Sequence, residues 1–381
     1  MTVAVGRCPA ASEPVAMQLG IIGLARSGKT TVFNAVTRGA AQVGAYSSSS
    51  QPNVGVVHVP DHRVDKLTEM YKPKKTTYAT IQYVDFPAAG ESFGKGEGPA
   101  GKFINDLARM DALIHVVRGF EDDSVPHPEV TVDPERDIAT MDLELSFADL
   151  AIIERRLQRL ETEMRSVKAG ERDQMLRLKE LLERLKKGLE NERPLREQPL
   201  SEDDKKLLEG SQFLTSKPLM VVVNIGEARL DEREAMNADF KAKHAKTGCD
   251  VAVFCGKFEM DLNELNEAEA EEFRAAAGVT ESGMASAIRV SYELLGLISF
   301  LTSGPDECRA WAITRGSTAP EAAGKIHSDL QRGFIRAEVV SFDDLVACGS
   351  EAEAKKRGLV RTEGKQYVVK DGDVINILFN V

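Results

Sequence analysis

Short, unbroken apolar runs bounded by glycine or charge recur through much of the chain. Gln18-Leu19-Gly20-Ile21-Ile22 precedes a glycine-rich stretch and then a helical pattern over 30–36. That order reads as buried strand, loop and helix. Val54-Gly55-Val56-Val57-His58-Val59 and Ile81-Gln82-Tyr83-Val84 are further strand candidates, and residues 103–110 read as helix. Ala112-Leu113-Ile114-His115-Val116-Val117 has the continuous apolarity of a strand buried on both faces. Strands alternating with helices predict an α/β fold with a mainly parallel sheet.

The period then changes. Leu150, Ile153, Leu157, Leu160, Met164 and Val167 follow alternating three- and four-residue steps; beyond Ala169-Gly170, so do Met175, Leu178, Leu182, Leu185 and Leu189. An apolar seam on each of two helices joined by a short turn predicts an antiparallel helical hairpin, stopped by Pro194 and Pro199. The strand pattern returns at Leu219-Met220-Val221-Val222-Val223 and Val251-Ala252-Val253-Phe254, so the hairpin is inserted within the α/β domain. From about Gly296 a small mixed α+β domain is expected. Its strands would lie at 309–313, 334–340, 366–369 and 374–379, with a helix at 320–330 capped near Ser317 or Thr318. Asp371-Gly372 reads as a hairpin turn. The expected boundaries are a flexible tail 1–16, an α/β domain over 17–135 and 212–295, an arm over 136–211, and a C-terminal domain over 296–381. The one low-complexity stretch is Ser47-Ser48-Ser49-Ser50.

Composition narrows the possibilities. The 381 residues carry a net charge of −11, so generic polyanion binding is not expected and any RNA contact needs a local basic patch. Cys8, Cys249, Cys255, Cys308 and Cys348 show no C-x-x-C spacing, which argues against a zinc site or redox dithiol and fits a reducing compartment. No apolar run is long enough to span a membrane, and the first 16 residues hold no signal-peptide core. A cytoplasmic location is expected.

The chemistry is concentrated in one motif. Gly23-Leu24-Ala25-Arg26-Ser27-Gly28-Lys29-Thr30 matches G-x-x-x-x-G-K-[ST] completely, between a strand and a helix. Glycines let backbone N–H groups converge on a β-phosphate, Lys29 would neutralise the β/γ oxygens, and the Thr30 hydroxyl would bind Mg²⁺. The expected nucleotide-binding set is Gly23, Ala25, Arg26, Ser27, Gly28, Lys29, Thr30 and Thr31. Asp85, ending a strand, is expected to hold Mg²⁺ through water. Asn224 and Glu227 follow the 219–223 strand, and strand ends in this fold face the nucleotide. Cys255 and Gly256, after the 251–254 strand, are counted with them. No Ser-His-Asp spacing or metal-ligand cluster suggests other chemistry.

Further segments carry a resemblance. They are Pro52-Asn53-Val54-Gly55-Val56-Val57 with Pro60-Asp61, Lys95-Gly96-Glu97-Gly98, and Asp111-Ala112-Leu113-Ile114-His115-Val116-Val117-Arg118. Gly333-Phe334-Ile335-Arg336-Ala337-Glu338-Val339, Gly372-Asp373-Val374 and Phe379-Asn380-Val381 complete the set. From Met17 to Val381 the chain resembles the Obg-like, YchF-type branch of the translation-factor-related P-loop GTPases. The resemblance implies a G domain, an inserted coiled-coil arm and a C-terminal TGS domain of β-grasp type. It also implies Mg²⁺ with ATP (or GTP) as ligands and the ribosome, or a ribosome-associated factor, as partner. Asn224 and Glu227 match the family's Asn-x-x-Glu, which stands in place of Asn-Lys-x-Asp. Loss of the Asp that accepts from guanine N1 and N2 favours adenine. Contact with rRNA is expected from the arm cations Arg155, Arg156, Arg159, Arg165, Arg177, Lys186 and Lys187, and from Lys325, His327, Arg332 and Arg336. Interleaved glutamates also fit an ordinary solvated arm surface.

The sequence departs from the family pattern around the γ-phosphate. Ala25-Arg26-Ser27 replaces Pro-Asn-Val, Ala88 stands where a glycine senses the γ-phosphate, Ala89 follows, and Ser49 replaces the switch threonine. The β-phosphate cradle is intact. The sequence thus predicts a Mg²⁺-dependent nucleotide-binding protein and slow ATPase, or GTPase. Lys29 and Arg26 would stabilise charge, and Thr30, Ser49 and Asp85 would attend the metal. The alternative is a hydrolysis-deficient regulatory or scaffold protein. Arg26 would act as an arginine supplied in cis, or else as a solvated loop side chain.

Overall fold

The apolar runs at 112–117 and 219–223 form strands sealed on both faces, whereas Val54 and Val56 in the 54–59 run are exposed. A computed structural model describes residues 17–39, 52–87, 99–165, 169–279 and 281–380. Along the chain, β1 (Met17–Ile22) leads into α1 (Lys29–Thr37), followed by β2 (Asn53–His58), α2 (His62–Tyr71), β3 (Lys75–Thr77) and β4 (Thr80–Asp85). Next come α3 (Pro99–Ala108), β5 (Ala112–Gly119), α4 (Pro134–Glu163), α5 (Ala169–Glu190), α6 (Glu202–Leu207) and β6 (Leu219–Ile225). Then follow α7 (Arg233–His244), β7 (Cys249–Phe254), α8 (Gly256–Asn263), α9 (Glu267–Ala276) and α10 (Gly283–Leu294). The first sheet has the order β2-β4-β1-β5-β6-β7, and the β1–β5, β5–β6 and β6–β7 pairs are parallel. Every residue of β5 and β6 is buried, which explains why they are apolar apart from His115, Arg118 and Asn224. The expected α/β architecture is present, with the P-loop at the carboxyl end of β1.

The arm grows out of the core of this unit. Asp133 caps α4 by accepting from Arg136 N, and Pro134 occupies the first turn, where its missing N–H costs nothing. Ile138, Met141, Leu145 and Ala148 pack into the main core, whereas Ile153 and Leu160 pack with Leu182, Leu185 and Leu189. The expected start at 136 is therefore corrected: the early turns of α4 belong to the α/β core. The changeover is marked by Asp149, which is wholly buried and accepts from Leu214 N and Thr215 N at 2.8 Å and from Thr215 Oγ1 at 2.6 Å. Ala169-Gly170 lies within α5, so the turn falls before it.

The C-terminal elements are β8 (Leu297–Thr302), β9 (Glu307–Thr314), α11 (Ala319–Ile326), α12 (Ser328–Arg332) and β10 (Phe334–Ser341). They continue as α13 (Phe342–Cys348), α14 (Glu351–Lys356), β11 (Arg361–Glu363) and β12 (Asp373–Phe379). The sheet order is β11-β10-β12-β8-β9-β3, with β8–β9 antiparallel and β12 parallel to β8. A hairpin, a helix and a last strand laid parallel beside the first make a β-grasp plan. Its core joins Phe300, Trp311, Ala322, Val339 and Ile375.

Four expectations change here. The helix foreseen at 320–330 breaks at His327, whose extended backbone lets Nδ1 accept from Asp329 N at 3.1 Å and start α12. Residues 366–369 form no strand; Ala319 N donates to Tyr367 O, and Val369 N to Ser317 O. Asp371-Gly372 does form a turn, closed by Asp373 N on Lys370 O at 3.2 Å with Gly372 at φ 81°, but it joins no paired strands and leads into β12, held by Ser299 N on Asp371 Oδ1 and Gly372 N on Ser299 O. Finally, β3 pairs in parallel with β9, so Val56–Ile81 groups with Leu295–Val381, not with the rest of 17–135. Polar interactions seal that unit: Arg63 binds Asp61 and Asp371, each at 2.8 Å. The expected tail 1–16, Ser47 to Ser50, Ala88, Ala89, 95–98, Val167 and Val381 lie outside the described residues. Among those described, no helix is long and apolar enough to cross a membrane.

Candidate nucleotide-binding site

The loop after β1 is shaped by close backbone approach. A Cβ at Gly23 would lie 2.3 Å from the Val116 carbonyl oxygen of β5. Gly28, at φ 87°, is the residue before α1, and a Cβ there would lie 2.2 Å from Asn224 Nδ2. No side chain caps α1, so its first-turn N–H groups remain available to an anion, as at other phosphate-binding helix N-termini.

Lys29 is buried and folds back over the loop, donating from Nζ to the Gly23 and Leu24 carbonyls at 2.9 Å each. Burial pushes its pKa down to about 8, against the opposing pull of Asp85. The Thr30 hydroxyl donates to Asp85 Oδ2 at 2.9 Å, and Asn53 Nδ2 reaches the same oxygen at 3.3 Å. Burial raises the Asp85 pKa; Thr30, Asn53 and Lys29 act the other way. The other oxygen, Asp85 Oδ1, is buried with no hydrogen-bond partner, as is Ser27 Oγ. A buried carboxylate oxygen left over beside a threonine hydroxyl and a lysine fits a Mg²⁺–phosphate group. Among the described residues no cluster of His, Cys, Asp and Glu could hold a metal by itself. A cation here would therefore need phosphate and water oxygens as ligands.

Asn224, buried in β6, joins two loops. Its Nδ2 donates to Ser27 O at 3.3 Å, and its Oδ1 accepts from Gly256 N at 2.9 Å. Cys255 caps α8 through Sγ, accepting from Phe258 N at 3.5 Å. Glu227 lies at the rim, paired with Lys257 Nζ at 2.8 Å. Gly23, Ser27, Gly28, Lys29, Thr30, Asp85, Asn224 and Gly256 are thus linked through the loop. Thr31 lies within α1, Ala25 is exposed at the loop tip, and Ser49 is outside the described residues. Arg26 is exposed and donates from Nη1 to the Pro126 carbonyl at 2.9 Å.

Several contributors went unread in the sequence. Arg118, buried at the end of β5, supports the loop by donating to Phe120 O at 3.0 Å and Arg26 O at 3.4 Å, and it stacks over the Phe120 ring. An arginine closing an otherwise apolar strand was the available signal. His115, also buried in β5, has no partner for Nε2; burial, reinforced by Lys29, pushes its pKa down to about 3 and keeps it neutral. Asn53 and Lys257 carry no signal by themselves, because their roles depend on Asp85 and Glu227.

The family model YchF-GTPase_C, described as a protein of unknown function, matches residues 297–380. The chain is 41% identical over 370 residues to the ribosome-binding ATPase YchF of Bacillus subtilis (strain 168), covering 96% of this chain and all of the relative. It is 39% identical over 363 residues to the ribosome-binding ATPase YchF of Escherichia coli O157:H7, covering 95% and 99% of the two chains. Among solved structures, the YchF GTPase of Schizosaccharomyces pombe superposes with a TM-score of 0.80 at 29% identity, over 95% of this chain and 97% of the other. Full-length coverage at these identities, on a chain that builds the P-loop, arm and C-terminal sheet described above, places the chain in the YchF family.

Proposed function

We propose that this chain is a Mg²⁺-dependent P-loop ATPase of the cytoplasm that works on the ribosome. The observation that carries the reading is the Thr30–Asp85 hydrogen bond, with Asp85 Oδ1 unpartnered beside the buried Lys29. In this reading, Gly23 to Thr31 cradle the phosphates, Lys29 neutralises the β/γ oxygens, and Thr30 and Asp85 hold the metal. Mg²⁺ would supply charge stabilisation for phosphoryl transfer to water. The ribosome as partner is supported by the relatives, which are named ribosome-binding ATPases. Adenine over guanine is supported by Asn224 and Glu227, where the guanine-reading Asp is missing. The domains would be a G domain, an arm and a TGS domain.

The second reading, nucleotide binding without hydrolysis, is favoured by Arg26, whose guanidinium is engaged by the Pro126 carbonyl. Single-turnover hydrolysis of ATP and GTP, with and without ribosomes, separates the two. The enzyme reading expects ribosome-stimulated ATP turnover, lost in Asp85→Asn. Tight binding with no turnover under either condition would establish the second reading.

A further inference from the structure

The arm carries a cleft that the nucleotide chemistry does not use. It lies between α4, α5 and the segment after α6, with a volume of about 770 Å³. Its floor is aliphatic: Ile152, Met175, Leu178 and Leu207 are partly buried against the arm's own core and present their remaining surface to the cleft. Arg155, Arg156 and Arg159 line one side. Arg155 and Arg159 are one helical turn apart and exposed.

Several other cations of the arm are held by carboxylates. Lys186 is paired with Glu154, Lys179 with Glu161, and Arg184 with Asp204. Arg155 instead donates to the Ala151 carbonyl, and Arg156 to the Leu207 carbonyl and the Ser211 hydroxyl. Among the described lining residues Glu163 is the single carboxylate, against three arginines and Lys206. Lys206 is itself shared with Asp203 at 3.4 Å.

We propose that this cleft docks an acidic amphipathic helix of a partner protein. Apolar side chains at i and i+4 of the incoming helix would sit on the aliphatic floor, where a methionine adapts to irregular shapes. Its flanking carboxylates would meet the guanidinium forks of Arg155 and Arg159, which suit carboxylates bidentately. A volume of this size accommodates several buried side chains. RNA fits less well. No aromatic ring is among the described residues that line the cleft, so bases find no stacking platform there, and a phosphate backbone has no use for an aliphatic floor. This inference stands apart from the nucleotide site and concerns this one cleft of the arm.

The test is selection of a phage-displayed library of random 16-residue peptides on the full-length chain, repeated on an Arg155→Glu/Arg159→Glu double variant. Both arginines are exposed, and unchanged circular dichroism and ATP binding would confirm an intact fold. The expected result is enrichment of peptides combining Asp or Glu with apolar residues at i, i+4 spacing. Their synthetic forms should bind by fluorescence anisotropy at least tenfold more weakly to the double variant and to Met175→Gln. Three results would overturn the proposal: no enriched pattern, a pattern lacking the acidic or the apolar component, or binding that ignores the variants. Arginine-dependent binding of a mixed-sequence 16-nucleotide RNA in place of the peptides would assign the cleft to nucleic acid instead.

Discussion

The side-chain amide of Asn224 occupies the space that a Cβ at Gly28 would need, with Nδ2 2.2 Å from that position. One residue on β6 thereby dictates that the P-loop residue before Lys29 has no side chain. The same amide bonds Ser27 O and Gly256 N, so the loop's shape and the site's far wall are coupled.

Gly28→Ala is expected to lose nucleotide binding and stability together. The left-handed backbone costs a side-chain-bearing residue about 1–2 kcal/mol, and Asn224 would also be displaced. Equilibrium ATP binding and urea denaturation check this; wild-type affinity in the variant would contradict the coupling.

Nucleotide affinity should decline in alkali. Burial holds Lys29 near 8 in the protein alone. Phosphate oxygens favour the ammonium form, so binding above that pH takes up a proton. Affinity should be flat below about pH 8 and fall roughly tenfold per unit above it. Calorimetric titration of ATP across this range, in two buffers of different ionisation enthalpy, reads both slope and proton uptake. Lys29→Met should bind weakly with no slope.

Asp149 should give the fold a measurable pH dependence. Burial pushes its pKa up from 3.8 to about 6, although Thr215 and Leu214 donate to it. With the folded value above the unfolded one, its contribution is fully present below about 3.8 and is lost as pH rises through about 6. In Asp149→Asn an amide NH₂ faces donors, and each donor left unpaired costs about 1–3 kcal/mol. The variant's deficit in denaturant unfolding should be largest in acid and shrink towards neutral pH. A deficit independent of pH would show that Asp149 does not titrate in this window.

Lys257 should influence base choice without affecting the fold. Its pair with Glu227 is largely solvent-exposed, so Lys257→Ala should change stability by less than about 0.5 kcal/mol. Freed of Lys257, the Glu227 carboxylate becomes available to guanine N1–H and N2–H. The ATP-to-GTP affinity ratio should drop about fivefold, the worth of one net hydrogen bond. Competition binding with both nucleotides reads the ratio, and an unchanged value would remove Glu227 from base reading.

The helix break at His327 shows where sequence reading stops. The apolar spacing of Ala322, Ala323 and Leu330 is helical across the break, and the periodicity does not register a ring nitrogen capping a second helix. The run at 366–369 likewise has a strand's composition but pairs through an isolated antiparallel bridge, Val368 with Thr318, and builds no ladder. Arg26 shows the same limit at the site: its charge and place in the motif are explicit, but its engagement by Pro126, 100 residues away, is not.

Local chemistry was legible from the chain alone. The P-loop, its strand-and-helix setting, the buried parallel strands and the inserted hairpin all follow from short-range spacing, because backbone geometry at a glycine and side-chain period along an element are local properties. Tertiary structure decided what depends on residues distant in sequence. It grouped Val56–Ile81 with the C-terminal sheet through β3 and β9, placed Arg118 beneath the phosphate loop, and joined Asn224 to Ser27 and Gly256. Strand pairing and buried polar contacts are satisfied by whichever partners the completed fold brings within hydrogen-bond reach, and no sequence period encodes that distance.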